Sequence, residues 1–430
     1  MPNLPAAITI RPAVRPIDAA VRLPGSKSYT NRALLLAAMA SGSSLIRGAL
    51  FSDDTSYMAA ALRALGIPVE ARPEEEAIMV TGAGGTVPVD HADLFVGNAG
   101  TAARFLTAFV ALGRGRFRID GIPRMRERPI GPLLDALHQL GVEAVSERNT
   151  GCPPVILQSN GLRGGTVEIS GDLSSQFISA LLMVAPCTPL GLELRICGDL
   201  VSRPYVEMTL HSMAAFGARA ENRDGRVIVV PGGQGYRARV YDVEPDASAA
   251  SYFLAAAAVT GGRVRVMGID RSSVQGDLRL ADILEQMGCT VEWGSGYVEV
   301  RGPSRLRGVD VDMNTMSDVA PTLAAIAPFA TEPVRIRGVA HMRLKETDRI
   351  RAVTTELTRL GAIVHEYEDG WEISPSPLQP ALVQTYDDHR MAMSFAVVGL
   401  RVPGLSIANP SCVAKTFPDF FDRFARLVEA

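Results

Sequence analysis

Three lysines stand among forty arginines in this 430-residue chain, and each lies in a short polar motif: Lys27 in LPGSKSYTNR, Lys345 in RLKETDR and Lys415 in SCVAKTFP. An ammonium is compact, rotates its donors freely and changes pKa readily, whereas a guanidinium is a flat, permanently charged fork. A chain that uses arginine almost everywhere else points, at these three places, to a need for the compact cation, in gripping an anion or assisting a proton transfer. Other motifs carry matching chemistry. Gly97-Asn98-Ala99-Gly100-Thr101 lets a backbone approach a ligand closely, Arg124, Arg126 and Arg128 crowd the segment 123–129, and Ser174-Ser175-Gln176 and Ser202-Arg203-Pro204-Tyr205 offer hydroxyls. Lys345-Glu346-Thr347-Asp348-Arg349 and Asp387-Asp388-His389-Arg390 mix cations with carboxylates. Such a set suits the binding of an anion.

Each motif also has a plainer structural reading. The PGSKS turn lacks the spacing of a nucleotide phosphate loop, so a magnesium-nucleotide site is not expected. Gly97 to Thr101 is equally compatible with a simple turn, and Ser174 or Ser175 with a helix cap instead of a phosphate ligand. A KETDR run is commonly a solvated helix face, yet Lys345 and Arg349 four residues apart would then repel, and two cations at that spacing fit a shared anion. Asp387-Asp388 suits a metal or an N-cap. The cap is expected, because no further His or carboxylate cluster has metal-ligand spacing.

The elements that position these motifs recur. LRALGIPVE, LHQLGVEAV, MAAFGARAE, LEQMGCTVE and LTRLGAIVH each end an amphipathic helix in glycine before a short strand, and their glycines, Gly66, Gly141, Gly217, Gly288 and Gly361, follow one another at intervals of 71 to 76 residues. Glycine there is the expected helix C-cap. A second series interleaves with it: Ala/Leu-rich helices predicted to begin near Asn31, Thr101, Ser175, Ala247, Val319 and His389, followed by strands such as SLIRG, RFRIDG, LELRICG, RVRVMG, PVRIRG and LSIAN. The spacing predicts six units of alternating helix and strand. The sixth ends in the helix FPDFFDRFARLVEA with no strand after it, while the chain begins with a spare strand around Ile8 to Ile10. The N-terminal segment is therefore expected to complete the C-terminal half, giving one domain from residues 24–243 and a discontinuous one from 1–23 plus 244–430. The polar motifs fall at or just before helix starts, where unpaired N–H groups and the positive dipole end bind anions.

Composition limits the alternatives. With 43 basic and 46 acidic residues the net charge is -3, which offers no global field for nucleic acid or an anionic membrane. Hydrophobic content of 47% supports sizeable cores, and the length suggests two or three domains. Apolar stretches such as 178–185 and 252–259 are too short to span a bilayer. Cys152, Cys187, Cys197, Cys289 and Cys412 are odd in number and widely spaced, as free thiols in a reducing cytosol would be. Residues 1–16 show no apolar signal-peptide core. The expectation is a cytoplasmic monomer.

Together LPGSKSYTNRALLLAA, GNAGTAARFL, RMRERPI, GDLSSQF, SRPYVEMTL, RLKETDRI, YDDHRMAMSFA and AKTFPDFF resemble the 5-enolpyruvylshikimate-3-phosphate synthase family, over nearly the whole chain and in family order. The resemblance implies an α/β (α+β) fold, the enolpyruvyl transferase-like inside-out α/β barrel in two domains. It has six βαβαββ repeats, three per domain, with the active site in the interdomain cleft. It also implies transfer of the enolpyruvyl group of phosphoenolpyruvate to the 5-hydroxyl of shikimate 3-phosphate, with release of phosphate, in the shikimate pathway to chorismate and the aromatic amino acids. No cofactor or metal is implied.

By motif, the resemblance makes Asp318 the proton acceptor, Glu346 the proton donor and Lys27 a lysine that meets both substrates. Phosphoenolpyruvate would meet Lys27, Gly100, Arg128, Gln176, Arg349, Arg390 and Lys415. Shikimate 3-phosphate would meet Lys27, Ser28, Arg32, Ser174, Ser175, Gln176, Ser202, Asp318 and Lys345, with Tyr205 nearby. Forks suit bidentate grip of carboxylate and phosphate. Two positions depart from common family forms: His341 stands where some members carry Asn, and Asp387 replaces the Asn of YNDHR. The nearest alternative is the sister transferase acting on UDP-N-acetylglucosamine, whose usual first motif has Asn after the lysine and which normally carries a loop Cys. Here Ser28 follows Lys27, and RMRERPI has no Cys. A noncatalytic phosphosugar-binding protein would not need Asp318 and Glu346 together with every cation.

Overall fold

The computed structural model describes residues 4–429. Residues 1–3 and 430, part of the expected discontinuous domain, lie outside the described residues. The chain divides into two compact units, Gly25–Glu244 and Met1–Pro24 with Pro245–Ala430.

In the Gly25–Glu244 unit, helices α1 (Lys27–Met39), α2 (Asp53–Ala64), α3 (Gly100–Val110), α4 (Gly131–Gln139), α5 (Ser175–Val184) and α6 (Pro204–Ala215) alternate with strands. The strands form sheets of one pattern. His91–Phe95 runs parallel to Arg114–Asp120, which is antiparallel to Val155–Asn160, itself antiparallel to Glu143–Ser146. Gly165–Ser170, Leu192–Cys197, Val227–Val230 and Glu221–Arg223 repeat the order. In the sheet built on Ala40–Arg47, the parallel position is taken by Tyr236–Arg237 and Val240–Asp242 from the end of the unit, so its last strands lie beside its first.

The other unit repeats this with α7 (Ala247–Thr260), α8 (Leu280–Gln286), α9 (Ala320–Ile326), α10 (Arg349–Arg359), α11 (His389–Gly399) and α12 (Phe420–Ala425). The N-terminal segment supplies two strands here, not the single one expected: Asp18–Arg22 pairs parallel with Arg263–Met267, and Ala7–Thr9 pairs antiparallel with Ser406–Ala408. The segment DAAVR is short and lacks a β-branched run, so its strand state comes from its neighbour and not from propensity.

Burial explains the layering. In α1, α3 and α5, and again in α7, α9 and α11, nearly every residue is buried. A helix that is apolar on every side must be covered on every side. These six therefore lie inside their units with the sheets outside, and each fully buried leucine, such as Leu34, Leu35 and Leu36, contributes about 1.5–3 kcal/mol. The alternate helices are one-sided: α10 turns Ile350, Val353 and Leu357 inward and Arg351 and Arg359 outward. Gly66, Gly141, Gly217, Gly288 and Gly361 all take φ between 81° and 99°, the left-handed conformation that ends those helices.

Candidate active site

Because the buried helices carry polar residues at their first turns, each unit presents its chemistry there. In the Gly25–Glu244 unit, Ser26 caps α1 by accepting from the Tyr29 N–H, so the helix starts at Lys27, four residues earlier than predicted. Lys27 and Ser28 thus occupy the first turn itself. A cation at a helix N-terminus is unfavourable; here the Asp54 carboxylate, buried on the first turn of α2, lies 3.3 Å from the Lys27 Nζ and offsets it. Arg32, one turn on, is almost fully buried: it donates to the Ser28 carbonyl (2.9 Å), the Tyr205 carbonyl (2.8 Å) and the Thr209 hydroxyl (2.8 Å), and packs over the Phe105 ring. Burial pulls its pKa down to about 10, which leaves it charged at neutral pH.

Gly100 is the first residue of α3, and Arg128 reaches across to it, donating to the Asn98 carbonyl (3.0 Å) and to Asn98 Oδ1 (3.1 Å). Of the three crowded arginines, Arg124 pairs with Glu127 and Arg126 with Asp120, while Arg128 turns to the start of α3. Ser174 caps α5 through the Gln176 N–H, and the Gln176 side chain donates to Thr101 (3.3 Å). Ser202, buried just ahead of α6, holds φ at 54°, a strained value for a residue with a Cβ.

In the other unit, one guanidinium gathers the carboxylates. Arg349 opens α10 and is buried; it donates to Asp318 Oδ1 (3.1 Å), Glu346 Oε2 (2.8 Å) and Asp388 Oδ2 (2.7 Å). The three acids raise its pKa further above its ordinary value, against the opposing effect of burial. Arg390 on α11 donates to Asp318 Oδ2 (2.7 Å), and the Lys415 Nζ lies 3.7 Å from Glu346 Oε1. Lys345 and Glu346 sit in the turn before α10 and not on a helix face as KETDR suggested, because Asp348 is the N-cap, accepting from the Arg351 N–H. Asp388 caps α11 through the Arg390 N–H, the cap reading of Asp387-Asp388. Asp387 takes φ 56°, a left-handed position that Asn and Asp tolerate, which accounts for the exchange of one for the other there. His341 is buried against the Ser317 hydroxyl at 2.8 Å, and burial pulls its pKa down to about 3, so its imidazole is neutral.

Sequence reasoning missed Asp54, which reads as an ordinary acid in a first helical turn after Ser52, and Asp388 as a ligand of Arg349 as well as a cap. It also missed Ser248 and Asp277, discussed below. No local signal announces these pairings, since their partners lie 27 to 39 residues away. All five cysteines are unbridged, and burial pushes the Cys187, Cys289 and Cys412 thiols up to about 12. Among the described residues no helix is long and apolar enough to cross a membrane.

The family model described as EPSP synthase (3-phosphoshikimate 1-carboxyvinyltransferase) matches residues 12–424. The chain belongs to this family. A protein of Trichormus variabilis named 3-phosphoshikimate 1-carboxyvinyltransferase is 53% identical over 414 residues, 96% of this chain and 97% of its own length. One of the same name from Nostoc punctiforme is 52% identical over 415 residues, again 96% and 97%. The solved EPSP synthase of Acinetobacter baumannii superposes with a TM-score of 0.81 at 25% identity, covering 97% of this chain and 98% of that one. The fold is the inside-out α/β architecture of the enolpyruvyl transferases, its βαβαββ repeats carrying the first helix inside and the sheets out.

Proposed function

We infer that the chain is a 3-phosphoshikimate 1-carboxyvinyltransferase of the shikimate pathway to chorismate and aromatic amino acids. It joins the 5-hydroxyl oxygen of shikimate 3-phosphate to C2 of phosphoenolpyruvate and expels phosphate. Asp318 accepts the hydroxyl proton as the C–O bond forms, and Glu346 protonates the methylene carbon, giving a tetrahedral intermediate. In the elimination the methyl group returns a proton to Glu346, the C–O bond to phosphate breaks, and the leaving phosphate carries away the proton held by Asp318. Lys27, Gly100, Arg128, Gln176, Arg349, Arg390 and Lys415 receive phosphoenolpyruvate. Ser28, Arg32, Ser174, Ser175, Gln176, Ser202, Asp318 and Lys345, with Lys27, receive shikimate 3-phosphate. The chain is organised as the domains 24–243 and 1–23 plus 244–430, and the protein works as a cytoplasmic monomer.

The observation that carries this reading is the convergence of Asp318 and Glu346, from separate segments, on one and the same buried guanidinium, that of Arg349. One cation thereby sets the spacing of the two proton-handling groups. In the free protein Arg349 and Lys415 favour the Glu346 carboxylate. Arriving phosphate and carboxylate groups neutralise those cations, which lets Glu346 take up the proton it must deliver. UDP-N-acetylglucosamine is not favoured as acceptor: the relatives carry the phosphoshikimate name, and Ser28 follows Lys27. A coupled phosphate-release assay tests the function: release should require both substrates together, and a folded protein that releases none would refute it.

A further inference from the structure

Asp277 is a buried carboxyl, 4% exposed, that the reaction as written does not use. It lies in the turn Gly276–Arg279 ahead of α8, and Gln275 pins that turn to the start of α7 by donating to the Pro245 carbonyl (2.9 Å) and accepting from the Ala247 N–H (3.2 Å). Ser248, in the first turn of α7, donates its hydroxyl proton to Asp277 Oδ2. The same hydroxyl oxygen accepts from Arg390 Nη2 at 3.2 Å, and that nitrogen also donates to Asp318 Oδ2 at 2.7 Å. Arg390 Nη1 is held by the Tyr252 hydroxyl at 3.2 Å. The chain Asp277, Ser248, Arg390, Asp318 therefore runs from a buried acid to the proton acceptor.

Asp318 touches two guanidinium groups, Arg349 and Arg390. Two adjacent cations stabilise its carboxylate and would make it a weak base. A second negative charge behind Arg390 opposes that effect. We propose that Asp277 is a positioning residue for the reaction: through the Ser248 hydroxyl it fixes the Arg390 guanidinium against Asp318, and its charge keeps Asp318 able to accept a proton. The inference rests on the assignment of Asp318 as the proton acceptor. The charged groups facing Asp277 are Asp318, Arg390 and Asp246. Burial first, and the Asp318 charge second, raise the Asp277 pKa to about 6, so the two acids feel one another.

The test is carbon-13 NMR of the full chain labelled at aspartate carboxyls, with Asp318 assigned from Asp318→Asn. In the wild-type chain the Asp318 signal should show a step near pH 6 as Asp277 ionises. In Asp277→Asn, which preserves size and the acceptor for Ser248, the step near pH 6 should vanish from the Asp318 signal, and turnover at neutral pH, where Asp277 carries its charge in the wild type, should fall by up to about tenfold. Ser248→Ala should instead raise the KM for phosphoenolpyruvate, since Arg390 loses its rest. An Asp318 curve with no step in the wild-type chain, or a step near pH 6 that persists in Asp277→Asn, overturns the proposal. The titration needs no substrate, so a failure of the enolpyruvyl transfer reading would appear separately, as a wild-type protein that releases no phosphate.

Discussion

Gly100→Ala isolates the grip on phosphoenolpyruvate from the stability of the fold. A Cβ built on Gly100 would lie 2.6 Å from Arg128 Nη2 and 2.9 Å from Arg128 Cζ, well inside van der Waals contact. Gly100 is the first residue of α3 and its φ is not left-handed, so the backbone there accepts alanine. The group that must yield most is the tip of Arg128, with Arg104 Nη1, 3.1 Å away, giving by a few tenths of an ångström. Movement of the Arg128 tip breaks the two bonds to Asn98, at 3.0 and 3.1 Å, that aim it. A misaimed charge-assisted contact costs about 1.5–3 kcal/mol, equivalent to roughly a tenfold to hundredfold weaker grip. The expected result is a KM for phosphoenolpyruvate raised by that factor, an unchanged KM for shikimate 3-phosphate and a midpoint of thermal unfolding close to that of the wild type. An unchanged KM for phosphoenolpyruvate would refute the placing of Arg128 on that substrate. A large fall in stability would refute the idea that only flexible side-chain tips yield.

Two further outcomes follow from the carboxylate cluster. Arg349→Lys replaces a fork that serves Asp318, Glu346 and Asp388 by a point charge, so buried carboxylates lose partners; denaturant unfolding should show a loss of about 3–5 kcal/mol, and phosphate release should fall with it. His341, whose pKa is held near 3 against 6.5 in the unfolded chain, contributes stability that is present above pH 6.5 and lost as pH falls toward 3. That contribution amounts to several kcal/mol, so His341→Asn should lose less stability than the wild type in unfolding measurements between pH 7 and pH 4.

Much of the fold is legible because it repeats. Helix ends marked by Gly66, Gly141, Gly217, Gly288 and Gly361 and apolar helices of constant spacing require nothing beyond local backbone preference and burial. The second N-terminal strand, Asp18–Arg22, was not legible, since its pairing with Arg263–Met267 depends on a neighbour more than 240 residues away. The helix starts at Lys27 and Arg349 were not legible either, since Ser26 and Asp348 decide those boundaries by accepting particular backbone N–H groups. Three lysines among forty arginines did mark polar motifs at helix starts or in the turns before helices, yet their partners, Asp54 for Lys27 and Glu346 for Lys415, emerge from packing.

The amino-acid sequence by itself determined the sixfold alternation, which helices must lie inside, and which residue types stand at their first turns, because these depend on periodicity and on the chemistry of single side chains. The tertiary structure alone decided that Arg349 would draw Asp318, Glu346 and Asp388 together, that Arg32 would be buried among carbonyls and hydroxyls, and that Asp277 would stand behind Arg390. Coulomb and desolvation energies vary with distance and exposure in space. Neither quantity is written in the order of residues along a chain.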